Sequence, residues 1–298
     1  MSATAPSVGL APGTTPGLAS VDPLAGLRAE LDRLDDALHD LLMRRAEVVE
    51  KVAGLKGGVA LRPGREATII RRLLARHRGT LPPQTIVRIW RELLAGTTVM
   101  QGRFIIAVSD SDPGDAYALA AREHFGALTP LSLHRDPAQA IAEVASGVAT
   151  AAVLPMPSDG EPASAAWWLG LMTGKEPRVH VVGMLPFWSS RPEDAPRVEA
   201  VVVAAIPPDP SGADRSLLGL AIAPDLGRAR LAAALASAGL SAGRIILAQE
   251  PGEACAHALI DVEDYITDAD PRLGAIRPVQ RVPLVLGAYA VPVGGEPA

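Results

Sequence analysis

From Leu24 onward, large apolar residues recur at alternating steps of three and four. Leu24, Leu27, Leu31, Leu34, Leu38 and Leu41 lead to Arg45, after which Val48, Val52 and Leu55 resume the series. That spacing predicts one helix over 24–56 with a single apolar face. Asp22 and Pro23 supply an N-cap and a first-turn residue, and Gly57-Gly58 a stop. At 1.5 Å per residue the helix is about 50 Å long, too long to bury its stripe inside a domain of about 80 residues. The pattern therefore predicts packing against a second copy of the chain.

Pro63-Gly64 opens a second, shorter periodic segment with Ile69, Ile70, Leu73 and Leu74, ended by Gly79. Pro82-Pro83 opens a third, with Ile86, Ile89, Trp90, Leu93 and Leu94, whose stripe runs on through the polar Thr97 and Gln101. After Arg103 the texture changes to short apolar runs alternating with helical ones: RFIIAVSD, AYALAAREHFG, PLSLH, PAQAIAEVASG, TAAVLP, a helix around Trp167-Trp168, and VHVVGML. Alternation of this kind predicts a parallel α/β lobe. RPEDAP links it to VEAVVVAAIPP. The last segment reads βαββαβ (RSLLGLAIA, GRARLAAALASAG, RIILAQE, CAHALIDVE, DADPRLGAI, VPLVLGAY), the split βαβ order of ferredoxin-like modules.

The net charge of −5 conceals a division. Residues 27–103 carry 15 Arg+Lys against 9 Asp+Glu, and residues 104–298 carry 13 against 23. The basic helical part is where an anionic ligand is expected. A basic nucleic-acid binder would expose its cations, whereas Arg45 interrupts an apolar stripe, so no nucleic-acid partner is expected. Cys255 is the single cysteine, which fits a reducing, cytoplasmic setting and a core position for that thiol. The six histidines show no metal-ligand spacing. Residues 1–22 read as a disordered Ala/Pro/Gly/Ser/Thr tail, and no run of about 18 apolar residues suggests a membrane span.

Arg45 and, three turns on, Lys56 put cations on the helix's own apolar side. A buried cation without an anion is costly, and Thr97 and Gln101 break the third stripe in the same way. Two helices that interrupt apolar faces with donors predict a polar cavity completed by an anionic ligand.

LRAELDRLDDALHDLLMRRAEVVEKVAGLK, LRPGREATIIRRLL and TIVRIWRELLAGTTVMQ together resemble the three helices of the all-helical chorismate mutase family over about 80 residues. The order of the whole chain resembles bifunctional chorismate mutase–prephenate dehydratases, which place a dehydratase and an ACT regulatory domain after the mutase. The resemblance implies conversion of chorismate to prephenate with no cofactor and no metal. It assigns Arg45 to a substrate carboxylate, Lys56 to a carboxylate and the ether oxygen, and Gln101 to the ether oxygen. Glu66 accepts from the ring hydroxyl. Thr97 stands where the family often has serine, and Arg62 falls near the place of a hydroxyl-side aspartate. Arg28 matches the arginine given by the neighbouring subunit of a homodimer. Arg28 and Arg45 lie about 25 Å apart along one helix, so one chain cannot close both on one small ligand. Arg65, beside Glu66, reads as structural.

The expected fold class is multidomain: an all-α three-helix mutase domain (23–103) in an intertwined dimer, an α/β lobe (104–206) and a ferredoxin-like α+β ACT-like domain (207–298). The lobe resembles the first half of a prephenate dehydratase. Met156-Pro157 replaces that family's Glu-Asn pair, and no Thr-Arg dipeptide exists anywhere in the chain to match its catalytic Thr-Arg-Phe. The lobe is therefore expected to be catalytically dead. In the ACT-like segment, RIILAQEPGE replaces the family's Glu-Ser-Arg-Pro. The competing reading is a non-catalytic regulatory or scaffold protein that keeps these folds.

Overall fold

The computed structural model describes residues 22–56, 60–110, 115–188, 195, 197–249, 252 and 254–294. The chain divides into two compact units, the first ending at Val52 and the second running from Ala53 to Ala298. The N-terminal tail 1–21 and the Gly57-Gly58 stop lie outside the described residues.

Helix α1 spans Pro23–Lys56. Its start is capped as expected, with the Leu24 amide donating to the Asp22 carboxylate at 3.1 Å. Its leucine stripe is open: Leu27, Leu31, Leu38 and Leu41 are 58–62% exposed.

In the second unit, α2 (Pro63–Arg76) and α3 (Pro83–Val99) each begin with proline in the first turn, where its missing N–H costs nothing. α2 ends at Arg76, before the expected Gly79. Val87, Arg91, Leu94 and Thr98 form the inward row of α3, while Ile89, expected in the apolar stripe, is 47% exposed.

The strands are β1 (Ile106–Ser109), β2 (Leu131–His134), β3 (Ala151–Pro155), β4 (His180–Leu185), β5 (Ala200–Ala204), β6 (Asp214–Ile222), β7 (Ala242–Ala248), β8 (Ala256–Glu263) and β9 (Leu284–Ala290). All nine join one sheet in the order β2-β1-β3-β5-β4-β9-β6-β8-β7. Three helices, α4 (Ala116–Phe125), α5 (Pro137–Ala145) and α6 (Arg228–Ser237), complete the layers.

β1 pairs in parallel with β2 and β3. The expectation of a wholly parallel lobe fails beyond that point, because β5 enters antiparallel between β3 and β4. The segment around Trp167-Trp168 is a 3₁₀ stretch (Trp167–Thr173) rather than an α-helix, and Pro271–Ala275 replaces the second helix of the C-terminal repeat with a single 3₁₀ turn. Both are short runs of the kind that 3₁₀ geometry serves, and Trp168 inserts fully into the core. The C-terminal strands nevertheless take the order β9-β6-β8-β7, all antiparallel, which is the split βαβ arrangement.

β4 and β9 meet at one bridge, Val181 to Gly287. Gly287 has φ +146°, and a Cβ there would lie 2.1 Å from the Val181 carbonyl oxygen, so only glycine lets the two strands approach. On one face a core runs across that junction, from Ala140, Val144 and Trp168 through Val181 to Leu217, Leu259 and Leu286. On the other face α4 covers Ile106, Val153 and Val202, and α6 covers Leu218, Leu220 and Ile260 through Leu231 and Leu235. The expected boundary near residue 206 falls in the loop between β5 and β6. Cys255, expected in the core, is only partly buried.

Candidate active site

The expected site residues lie on α1, at the start of α2 and at the end of α3. On α1, Arg28 is exposed and Arg45 is half-buried. Nη1 of Arg45 is shielded from water and has no hydrogen-bond partner among the described residues, and burial lowers the pKa of the guanidinium. Lys56 is the last residue of α1, and its side chain lies outside the described residues.

At the start of α2, Arg62 Nε donates to Asp209 Oδ2 at 3.2 Å. The same carboxylate accepts from the amides of Gly64 (2.9 Å) and Arg65 (3.1 Å). Asp209, from the loop between β5 and β6, thus caps a helix 145 residues earlier, where backbone N–H groups are otherwise unsatisfied. A Cβ on Gly64 would lie 2.1 Å from the Asp209 carbonyl oxygen, so the approach requires glycine. Further along α2, Arg71 donates to Val291 O at 2.6 Å and to Ser211 Oγ at 2.8 Å, fastening the helix to the sheet.

Glu66 lies one turn after Arg62 and faces inward. Its Oε2 accepts from Arg91 Nη1 at 3.0 Å, with the two side chains only 12% and 5% exposed. Desolvation raises the Glu66 pKa and lowers that of Arg91 to about 10, and each charge opposes the other's shift. The Arg91 guanidinium also lies 4.8 Å from the Phe187 ring centroid. Thr97 is buried and donates to the carbonyls of Leu93 and Leu94, while Gln101 Nε2 donates to Thr97 O at 3.0 Å. The structure therefore joins Thr97 to Gln101, gives Arg62 to Asp209, and gives Glu66 to Arg91.

Residues 27–102 match the family model of type II chorismate mutases.

The matched segment contains Arg28, Arg45, Lys56, Arg62, Glu66, Thr97 and Gln101. The chain is similar to a bifunctional chorismate mutase/prephenate dehydratase of Pseudomonas aeruginosa, at 27% identity over 155 residues (48% of this chain, 41% of that protein). The corresponding protein of Neisseria gonorrhoeae is 31% identical over 100 residues (33% of this chain, 27% of that protein). The chain thus spans about two fifths of the first of these relatives. A solved prephenate dehydratase from Arthrobacter aurescens, in complex with L-Phe, covers 65% of this chain at 14% identity, with 92% of its own length and a TM-score of 0.48.

Arg91 and Asp209, which hold Glu66 and Arg62 of the matched segment, were not among the residues expected from sequence. Arg91 leaves one trace there: it falls in the series 87, 91, 94, 98, an inward row that an arginine enters only with a partner. Asp209 leaves none. Among the described residues no group of three or more His, Cys, Asp or Glu could hold a metal, and no helix is long and apolar enough to cross a membrane.

Proposed function

We propose that this chain is a chorismate mutase that converts chorismate to prephenate as a homodimer with shared sites. The observation that carries the reading is Arg45. Within the matched segment its guanidinium is half-buried, and one of its nitrogens has no hydrogen-bond partner among the described residues; a guanidinium fork suits a ligand carboxylate. The rearrangement breaks the ether C–O bond and forms a C–C bond in one cyclic shift of electrons, with no nucleophile, proton transfer or metal. Catalysis then rests on holding the compact conformer and offsetting negative charge on the departing ether oxygen.

In this reading Arg45 and the neighbouring subunit's copy of Arg28 grip the carboxylates, and Lys56 and Gln101 face the ether oxygen. Glu66 accepts from the ring hydroxyl, with Thr97 and Arg62 beside it. The open leucine face of α1 supports the homodimer. Residues 104–206 are read as a dehydratase-like remnant without dehydratase activity, 207–298 as an ACT-like module, and the single thiol as that of a cytoplasmic protein.

Continuous measurement of chorismate loss tests the proposal, with phenylpyruvate formation from prephenate as the second readout. Turnover of chorismate without added metal is expected, lowered by roughly two to three powers of ten in Lys56→Ala or Gln101→Ala, with no phenylpyruvate above the uncatalysed rate. A folded dimer that leaves chorismate intact sinks the enzyme reading. It would favour the non-catalytic alternative, which has its own support: Glu66 and Arg62 are already ion-paired within the protein.

A further inference from the structure

Glu66 sits in the first turn of α2, and two distant parts of the chain bear on it. From α3, Arg91 donates to its Oε2 at 3.0 Å. From the loop between β5 and β6, the Asp209 carboxylate reaches the same turn and is only 15% exposed there. One of its oxygens accepts from the Gly64 amide, and the other from the Arg65 amide and from Arg62 Nε. Gly64 and Arg65 directly precede Glu66, whose own amide donates to the Arg62 carbonyl at 2.9 Å. The arginine that Asp209 grips by its side chain therefore also closes the turn that carries Glu66.

The Asp209 loop is itself braced. The Tyr265 hydroxyl donates to the Pro208 carbonyl at 2.7 Å. The amides of Ser211 and Gly212 donate to the Asp214 carboxylate at 2.9 and 3.0 Å. Arg71, further along α2, donates to the Ala213 carbonyl at 3.0 Å and to the Ser211 hydroxyl at 2.8 Å. Gly64 and Arg71 lie on one face of α2, about 10 Å apart along its axis, and both are fixed to this loop.

A helix cap needs only an oxygen that accepts from the first amides, and a neutral asparagine serves as well as an aspartate. Asp209 adds a charge. Like charges brought together where water is scarce oppose each other's ionisation. The Asp209 charge, with burial, favours the neutral form of Glu66, and the Arg91 charge opposes them. Among the described residues, the charged groups that bear on Glu66 are Arg91 from α3, Asp209 from the loop and Arg62 at the helix start; Glu123 and His124 of α4 interact with Arg91 in turn.

We propose that Asp209 is a positioning residue of the mutase site, holding Arg62 and the first turn of α2 so that the β5–β6 loop keeps the Glu66 carboxylate in place. Under the mutase reading, on which this rests, Glu66 accepts from the ring hydroxyl. An ionised carboxylate only accepts, whereas a protonated one carries a donor of its own. Turnover therefore falls on the acid side as Glu66 takes up a proton, and the Asp209 charge places that limb at higher pH than burial and Arg91 alone would.

Chorismate turnover by the full chain as a function of pH tests this in the unaltered protein, Asp209→Asn and Asp209→Glu. Carbon-13 NMR of chain labelled at the glutamate carboxyls follows Glu66 itself, its signal identified by its loss in Glu66→Gln. Asp209→Asn is expected to lower kcat roughly tenfold to a hundredfold. It should also move both the acid limb and the Glu66 titration to lower pH, because one negative charge is gone. Asp209→Glu keeps the charge and should leave both midpoints near their unaltered values. Unchanged kcat in folded Asp209→Asn overturns the proposal. So does a fall in kcat with the Glu66 titration unmoved, the outcome for a plain cap. Asp209→Ser, a second uncharged cap, carries the same expectations should the asparagine variant not fold. An unaltered chain that leaves chorismate intact sinks the mutase reading instead, and the Glu66 titration in Asp209→Asn then decides alone whether Asp209 governs that carboxylate.

Discussion

Glu66 and Arg91 are 25 positions apart, and either charge alone at that depth would be expensive to bury. Together they hydrogen-bond at 3.0 Å in a nearly dry setting, where removing one partner strands the other. Arg91→Met is expected to cost roughly 3–5 kcal/mol in urea unfolding, and Glu66→Met combined with Arg91→Met should recover much of it. A loss below about 1 kcal/mol for the single change would show that the pair is not held as described. His124 supplies a pH-dependent contribution nearby. Burial, with the Arg91 charge adding to it, lowers its pKa well below 6.5. The folded protein therefore binds fewer protons at His124 than the unfolded chain does in the window between that lowered value and 6.5. Its contribution to stability is present above 6.5 and is lost as pH falls through the window. Urea midpoints at about pH 7.5 and about pH 5.5 should differ less in His124→Phe than in the unaltered protein. An equal difference in both would show that the imidazole is not the group responsible.

Helix α1 exposes along most of its 34 residues the face that its leucine spacing was expected to bury. A helix gains most of its stability from packing such a face, and a second copy offers a complementary one. Mixing Arg28→Ala with Arg45→Ala chains after unfolding and refolding tests sharing of the site. If Arg28 acts across the dimer, each mixed dimer has one intact site and one doubly damaged site. Activity then recovers towards about a quarter of the unaltered level, because half the dimers are mixed and half their sites are whole. Confirmed mixed dimers that stay inactive would exclude the shared site. The starts of all three N-terminal helices were legible, because the Asp22 carboxylate caps an amide two residues on and Pro63 and Pro83 act through their own backbone. The inward face of α3 was not. A periodic reading favours Ile89 and passes over Arg91, because it ranks side chains by polarity and cannot see a carboxylate arriving from another helix.

Across the whole molecule, the sequence by itself determined the long helix and its cap, the change of texture after Arg103, and the strand order of the C-terminal repeat. It also placed the cations within the segment that matches chorismate mutases. These features follow from periodicity and from residues acting on their neighbours, so a linear reading reaches them. Tertiary structure alone decided that β5 runs antiparallel between β3 and β4, and that one sheet continues from β4 to β9 through Val181 and Gly287. It also decided that Asp209 caps α2 and that Arg91 takes Glu66. Each of these depends on which distant segment arrives beside which. Packing of the complete chain settles that, because the energy of a close backbone approach or a buried ion pair exists only once both partners are in place.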